Sequence, residues 1–285
     1  RTGSMSEASK ELFISQPGLT TSIRELETEM GIKIFTRTNK GVVTSNEGER
    51  FLGYARQVLE QASLLEGVYK SGTKIKQQFC VSTQHYSFAV NAFVDLIRRF
   101  AGEEYDFSLR ETETYEIIDD VAKMKSEIGI LYLNSFNKDA LMKIIKSKSL
   151  TFTELFTAKP HVFVSTDHPL ADKKSVTMEE LADYPYLSFE QGEHNSFYYS
   201  EEIFSTVGRT KNIRVTDRAT LFNLLIGLNG YTVCSGVIDN ELNGDNITAI
   251  PLDEEGGMKI GYIENKKILH SNLAEAYIEA LKKHI

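Results

Sequence analysis

Two groups of side chains in this sequence have types and spacings suited to chemistry. The first comprises Ser15, Gln16, Thr20, Thr21 and Arg24, followed by Arg37, Asn39 and Lys40. A glutamine amide matches the acceptor and donor on an adenine edge, and threonine offers a hydroxyl and a methyl suited to thymine. Arginine and lysine suit phosphate oxygens. The second group is Ser82, Thr83, Gln84 and His85, within "CVSTQHYSF". There a strand gives way to a helix, and the N–H groups and positive dipole end of a helix N-terminus favour an anion. Plain capping by Ser82 or Thr83 is the alternative, and both can hold together. Neither group is of a catalytic type. The six histidines are scattered without H-x-x-x-H spacing, and there is no G-x-S-x-G and no P-loop, so no enzyme, metal or cofactor is expected.

Positioning the first group takes two helices and a hairpin. Residues 4–13 have helical spacing in Ala8, Leu12 and Phe13, with Ser4 or Ser6 as cap. Ser15 caps a second helix with Pro17 in its first turn, where a missing N–H costs little. Leu19, Ile23, Leu26 and Met30 form its apolar stripe, and Gly31 ends it. "IKIFTRTNKGVVT" reads as a small hairpin. Together these predict a winged helix-turn-helix, in which the second helix enters the DNA major groove N-terminus first. An ordinary helical hairpin with a polar end is the alternative. From Ser45 to about Gly72 a long helix is predicted, with Phe51, Ala55, Val58, Ala62 and Leu65 on one stripe. Such a stripe pairs with its twin, giving a homodimer, or a homotetramer if other parts also pair.

Positioning the second group takes an α/β layer. "QFCVST", "DFSLRET" and "IGILYL" alternate with "YSFAVNAFVDLIRRFAG" and "YEIIDDVAKMK", a βαβαβ pattern that predicts a mostly parallel sheet. After Pro160 a second α/β block follows, including "SFYYSEEIFSTVG" and "ATLFNLLIGLNG", and the chain closes with "KIGYIEN" and a helix from Ser271.

Charge divides the same way. The whole chain of 285 residues has net charge −8, against non-specific nucleic-acid binding. Residues 1–72 hold nine basic and nine acidic residues, leaving 23 basic and 31 acidic in the rest. Residues 31–45 hold Lys33, Arg37 and Lys40 and no acid, a local strip able to touch phosphate. No membrane-length apolar run or secretory leader is visible, and Cys80 and Cys234 read as free thiols, so a cytoplasmic protein is expected.

"SEASKELFISQPGLTTSIRELETEMGIKIFTRTNKGVVTSNEGERF" resembles the DNA-binding head of LysR-type bacterial transcriptional regulators. The resemblance is carried by Ala8, the Ser15-Gln16-Pro17 turn, Ile23, Leu26, Glu27, Gly31, Phe35, Arg37 and Gly48. It implies a head over 1–45 that lacks the family's first helix and so packs and binds DNA poorly. It further implies a dimerising linker helix over 46–73 and two lobes of the periplasmic-binding fold, 74–157 with 252–285 and 158–251. The partners implied are a double-stranded DNA operator and a small anionic effector held between the lobes. Ser82, Thr83, Gln84 and His85 are the implied effector contacts. Thr112, Thr114, Tyr132, Glu190, Gln191, Asn195, Thr232 and Ser235 are facing candidates. "SFEQGEHNSFYYSEEI" and "VSTQHYSF" resemble the branch that controls sulfur-amino-acid supply, whose effectors include small anions. A solute-binding protein with the same lobes is the alternative. It needs a secretory leader and no helix-turn-helix.

Overall fold

Serines open the helices of the N-terminal unit. Ser4 accepts the Glu7 N–H at 3.4 Å and starts α1 (Met5–Glu11), and Ser15 accepts the Gly18 N–H at 3.2 Å and starts α2 (Gln16–Met30). The computed structural model describes residues 2–38, 41–70, 77–100, 102, 104–238 and 244–285. The chain divides into two units, Arg1–Ile75 and Lys76–Ile285.

In the first unit α1 is shorter than its apolar spacing predicts. Phe13 adopts φ +54° and is 96% exposed, so the turn toward α2 begins after Leu12 rather than beyond Phe13. Met30 is also exposed, leaving Leu19, Ile23 and Leu26 as the packed stripe of α2. β1 (Phe35–Thr38) and β2 (Gly41–Thr44) form the expected antiparallel hairpin. Glu27 ties α2 to it. Its buried carboxylate accepts the Ile34 and Phe35 N–H groups at 2.8 and 3.0 Å and Lys33 Nζ at 2.9 Å. α3 (Asn46–Lys70) then starts on Ser45, whose Oγ accepts the Gly48 N–H at 2.9 Å. A Cβ at Gly48 would lie 2.1 Å from the Ile34 carbonyl oxygen. Only glycine lets α3 approach the hairpin backbone so closely.

The second unit holds two groups of strands. β3 (Gln77–Thr83), α4 (Ser87–Phe100), β4 (Tyr105–Glu111), α5 (Thr114–Ala122) and β5 (Ile128–Leu133) form the predicted βαβαβ, with β3 parallel to both neighbours. α6 (Lys138–Ser147) leads to β6 (Leu150–Ala158). The chain leaves this sheet through β6 and returns through β12 (Met258–Asn265), which lies antiparallel between β5 and β6. The five-stranded order is β4-β3-β5-β12-β6; β4, β3, β5 and β6 run the same way and β12 alone is reversed, so the sheet is mostly parallel as expected. Between exit and return lie β7 (His161–Ser165), β8 (Tyr186–Phe189), β9 (Asn212–Val215), α7 (Arg218–Leu228), β10 (Thr232–Cys234) and β11 (Ile247–Pro251). β10-β7-β11 is antiparallel and β8 pairs β9 in parallel.

Packing follows the pattern of apolar residues. All six residues of β5 are buried, as a strand covered on both faces requires. α4 and α8 (Asn272–Leu281) cover one face of the large sheet, where Phe79, Phe93, Phe107 and Tyr277 make edge and stacked ring contacts. The stretch 196–208 forms only a 3₁₀ turn at Phe197–Tyr199. Just beyond it Glu201, Glu202 and Ile203 are all buried.

Candidate functional site

β3 delivers its last residues to the C-terminal edge of the large sheet, and α4 begins there at Ser87. Three of the expected effector residues at this junction are buried and hydrogen-bonded within the protein. Ser82 Oγ donates to Asp120 Oδ2 at 2.8 Å, in a buried cluster with Ser126, and the exposed Arg110 pairs with the same carboxylate. Thr83 Oγ1 donates to the Gln84 carbonyl at 2.7 Å. Gln84, 1% exposed, donates Nε2–H to Thr114 Oγ1 at 2.6 Å, while its Oε1 accepts the Tyr86 O–H at 2.9 Å and the Tyr132 N–H at 3.1 Å. The strand end sinks into the core, and buried polar groups there must find partners within the protein. Gln84 therefore positions its neighbours. Tyr132, also expected to touch effector, is buried and lines a separate cavity with Phe204 and Glu255. Thr112 is half-buried and its N–H donates to the Thr83 carbonyl. Glu190 is exposed, and its N–H bonds the Val215 carbonyl.

His85 is the junction residue that does face the cleft. Its ring lies flat on Phe189, centroids 3.7 Å apart and planes 3° apart. Glu201, from the stretch after β8, reaches across to it. The Glu201 carboxylate accepts the His85 backbone N–H at 2.9 Å and sits 2.9 and 3.1 Å from His85 Nδ1. Gln191 braces the pair. Its Oε1 accepts the Thr114 N–H at 3.0 Å and its Nε2 donates to Glu201 Oε1 at 3.1 Å. Beside them Arg218 Nη2 pairs with Glu111 at 2.9 Å, and Glu202 accepts the Phe189 N–H at 2.8 Å. His85, Glu201, Glu202, Arg218, Thr232 and Ser235 share the walls of a cavity of about 40 Å³.

The electrostatics of this cluster are set by burial. Burial alone would push the His85 ring down, but the Glu201 carboxylate outweighs it and holds the ring above its ordinary value. The Glu201 carboxylate thus favours the protonated ring over the neutral one relative to a free histidine. Burial and the neighbouring Glu201 push Glu202 up to about 8, so at neutral pH it is largely protonated. Burial also raises Glu111, with Arg218 opposing it. Among the described residues no group of three or more His, Cys, Asp or Glu could hold a metal.

The other expected site lies on the head. Gln16, Thr21 and Arg24 are exposed on the leading turns of α2. Thr20 is half-buried and donates its hydroxyl proton to the Gln16 carbonyl at 2.9 Å, which turns its remaining lone pairs and methyl outward. Ser15 serves the cap and Pro17 the first turn. Asn39, Lys40 and the Arg37 side chain lie outside the described residues.

Of the expected effector residues, the structure gathers His85, Gln191, Thr232 and Ser235 at one place. It adds Glu201, Glu202, Glu111, Arg218 and Phe189, which sequence reasoning passed over. The available signal was the adjacent acid pair inside the aromatic run "FYYSEEIF".

A model of the LysR substrate binding domain matches residues 81–285, and one of the bacterial regulatory helix-turn-helix protein, lysR family, matches residues 1–49. The chain belongs to the LysR family. Among LysR relatives, a transcriptional regulator named CysB from Burkholderia cenocepacia is 28% identical over 192 residues, 65% of this chain and 58% of that protein. The RuBisCO operon transcriptional regulator of Allochromatium vinosum is 27% identical over 214 residues, 74% of this chain and 66% of that protein. The chain thus spans about three-fifths of the length of the first LysR relatives it matches. A full-length OxyR variant from Pseudomonas aeruginosa shares the fold at TM-score 0.56 and 18% identity, over 98% of this chain and 92% of that one. No helix among the described residues is long and apolar enough to cross a membrane.

Proposed function

We propose that this chain is a DNA-binding transcription regulator whose two lobes, residues 74–157 with 252–285 and residues 158–251, sense a small polar anionic metabolite. The head, residues 1–45, reads double-stranded operator DNA. The observation that carries this reading is the exposed polar leading turn of α2, with Gln16, Thr21 and Arg24 outward beside a two-stranded wing. A solute-binding protein with the same lobes has no use for that surface. Gln16→Ala should weaken binding to the preferred operator by about 1–3 kcal/mol and flatten the ranking of single-base operator variants, measured by fluorescence anisotropy. An unchanged ranking would remove α2 from the major groove. Bacterial DNA lies in the cytoplasm, and the reading puts the protein there.

The effector side rests on the His85–Glu201 cluster, where a helix N-terminus, an imidazolium and an amide donor converge on one anionic group. Resemblance to the regulators of sulfur-amino-acid supply supports a metabolite of that class, and relatives named CysB point the same way. The protein works as a homodimer through the linker segment, residues 46–73, of which Asn46–Lys70 is α3. On that helix Tyr54, Val58 and Leu59 are 66–68% exposed in the single chain, an apolar surface that a second copy would cover. Light scattering at micromolar concentration should return at least twice the 32.2 kDa chain mass, and a monomer would exclude this assembly.

A further inference from the structure

We infer that Glu201 is a tethered substitute for the effector's anionic group. Its carboxylate occupies the anion position at the β3–α4 junction, and a small carboxylate metabolite binds by displacing it. This rests on the reading of the cleft as an effector site. The position is completely furnished. Three donors, the His85 N–H, the His85 ring and the Gln191 amide, converge on Glu201 within 3.1 Å, at the leading end of the 14-residue α4. They are the partners a buried carboxylate needs, since burial without them is costly. The glutamate comes from a different part of the fold than its partner, 116 residues along the chain.

Space makes the occupancy exclusive. The cavity of about 40 Å³ beside Glu201 has room for a few waters and none for a metabolite. Withdrawing the Glu201 side chain opens the position and its donors together. Charge makes the exchange favourable. Glu111 is paired with Arg218 and Glu202 is largely protonated, so the positive group left for an incoming anion is His85, which Glu201 already holds. An anion exchanged for Glu201 leaves the local charge as it was.

The carrier of Glu201 suits a removable group. Around it the stretch 196–206 has one 3₁₀ turn and no other helix or strand, and Tyr199 and Ile203 anchor it to the core on either side of Glu201. Thr114 Oγ1 donates to the Tyr199 carbonyl at 2.7 Å, and Tyr198 stacks on Phe136 at 4.8 Å. Seated, Glu201 latches that stretch to the β3–α4 junction. A ligand that takes its place releases the latch, and this difference between seated and displaced forms is what an effector needs to shift a population.

The test uses the full-length chain with sodium acetate as the probe and sodium chloride at matched ionic strength as control. Acetate is titrated against wild type, Glu201→Ala and the double variant Glu201→Ala with His85→Phe, following the thermal midpoint and backbone amide shifts by NMR in all three and the His85 ring signals in the first two. Glu201→Ala should bind acetate saturably and at least tenfold more tightly than wild type, and the double variant should lose that gain. A folded Glu201→Ala with wild-type acetate affinity overturns the inference. Should Glu201→Ala not fold in buffer, recovery of its circular dichroism by acetate supports the inference. Continued unfolding, with a folded Glu201→Gln that binds acetate no better than wild type, overturns it. Operator binding measured on the same samples separates the two readings. A gain in acetate affinity without operator binding would sink the regulator and leave the latch, and the reverse would sink the latch alone.

Discussion

Glu202→Gln should stabilise the chain, and should do so by more at pH 8 than at pH 5. Glu202 is 3% exposed, and burial together with Glu201 pushes its carboxyl up to about 8, whereas an unfolded glutamate titrates near 4.5. Above pH 4.5 the unfolded chain gives up this proton while the folded chain keeps it. The folded state then binds more protons, so stability falls as pH rises toward about 8. The span between the two values corresponds to a contribution on the order of 4 kcal/mol. A glutamine keeps an oxygen for the Phe189 N–H and has no proton to lose. Urea midpoints for both proteins should coincide near pH 4.5 and separate steadily to pH 8. Parallel profiles would show that Glu202 ionises freely in the folded protein.

Glu27→Ala should open the junction between α2 and the hairpin. The change strands the buried Ile34 N–H and half-buried Phe35 N–H, and hydrogen bonds to a charged group contribute more than neutral ones, so the expected loss is about 2–4 kcal/mol. The chain has two units, so the measurement must be local. Amide exchange at Ile34 and Phe35 should accelerate at least thirtyfold while exchange in β5 is unchanged. Acid should mimic the mutation. The Phe35 N–H and then Lys33 hold the Glu27 carboxyl below its ordinary value, so its contribution is present above about pH 4.5 and fades as pH falls through that lower value. Equal exchange in mutant and wild type would show that the hairpin is held by other contacts.

Local rules made much of this fold legible. Ser15, Pro17 and Gly31 mark α2 to the residue, and the alternation of "QFCVST" with "YSFAVNAFVDLIRRF" marks β3 and α4. These are signals carried within a few residues. The one reversed strand of the large sheet was not legible, because β12 comes from far along the chain and nothing within "KIGYIEN" says which way it runs beside β5. The site divides likewise. That an anion position lies at the end of β3 follows from a strand meeting a helix. That Gln84 is already saturated depends on Thr114 and Tyr132, 30 and 48 residues away, and that Glu201 fills the position depends on a partner farther still.

The place of β12 has a consequence for how the protein is born. β5 pairs through Gly129–Leu133 with Gly261 and its neighbours, and β6 pairs at Leu150 with Asn265. A ribosome adding roughly 5–20 residues per second needs on the order of ten seconds to pass from β6 to β12. Through that interval β5 and β6 have been synthesised but lack the strand that joins them, and each presents a bare edge to other nascent chains. Residues 161–251 emerge and pair among themselves meanwhile, since β7, β10 and β11 all lie within that span. The part of the unit that is made first is therefore finished last.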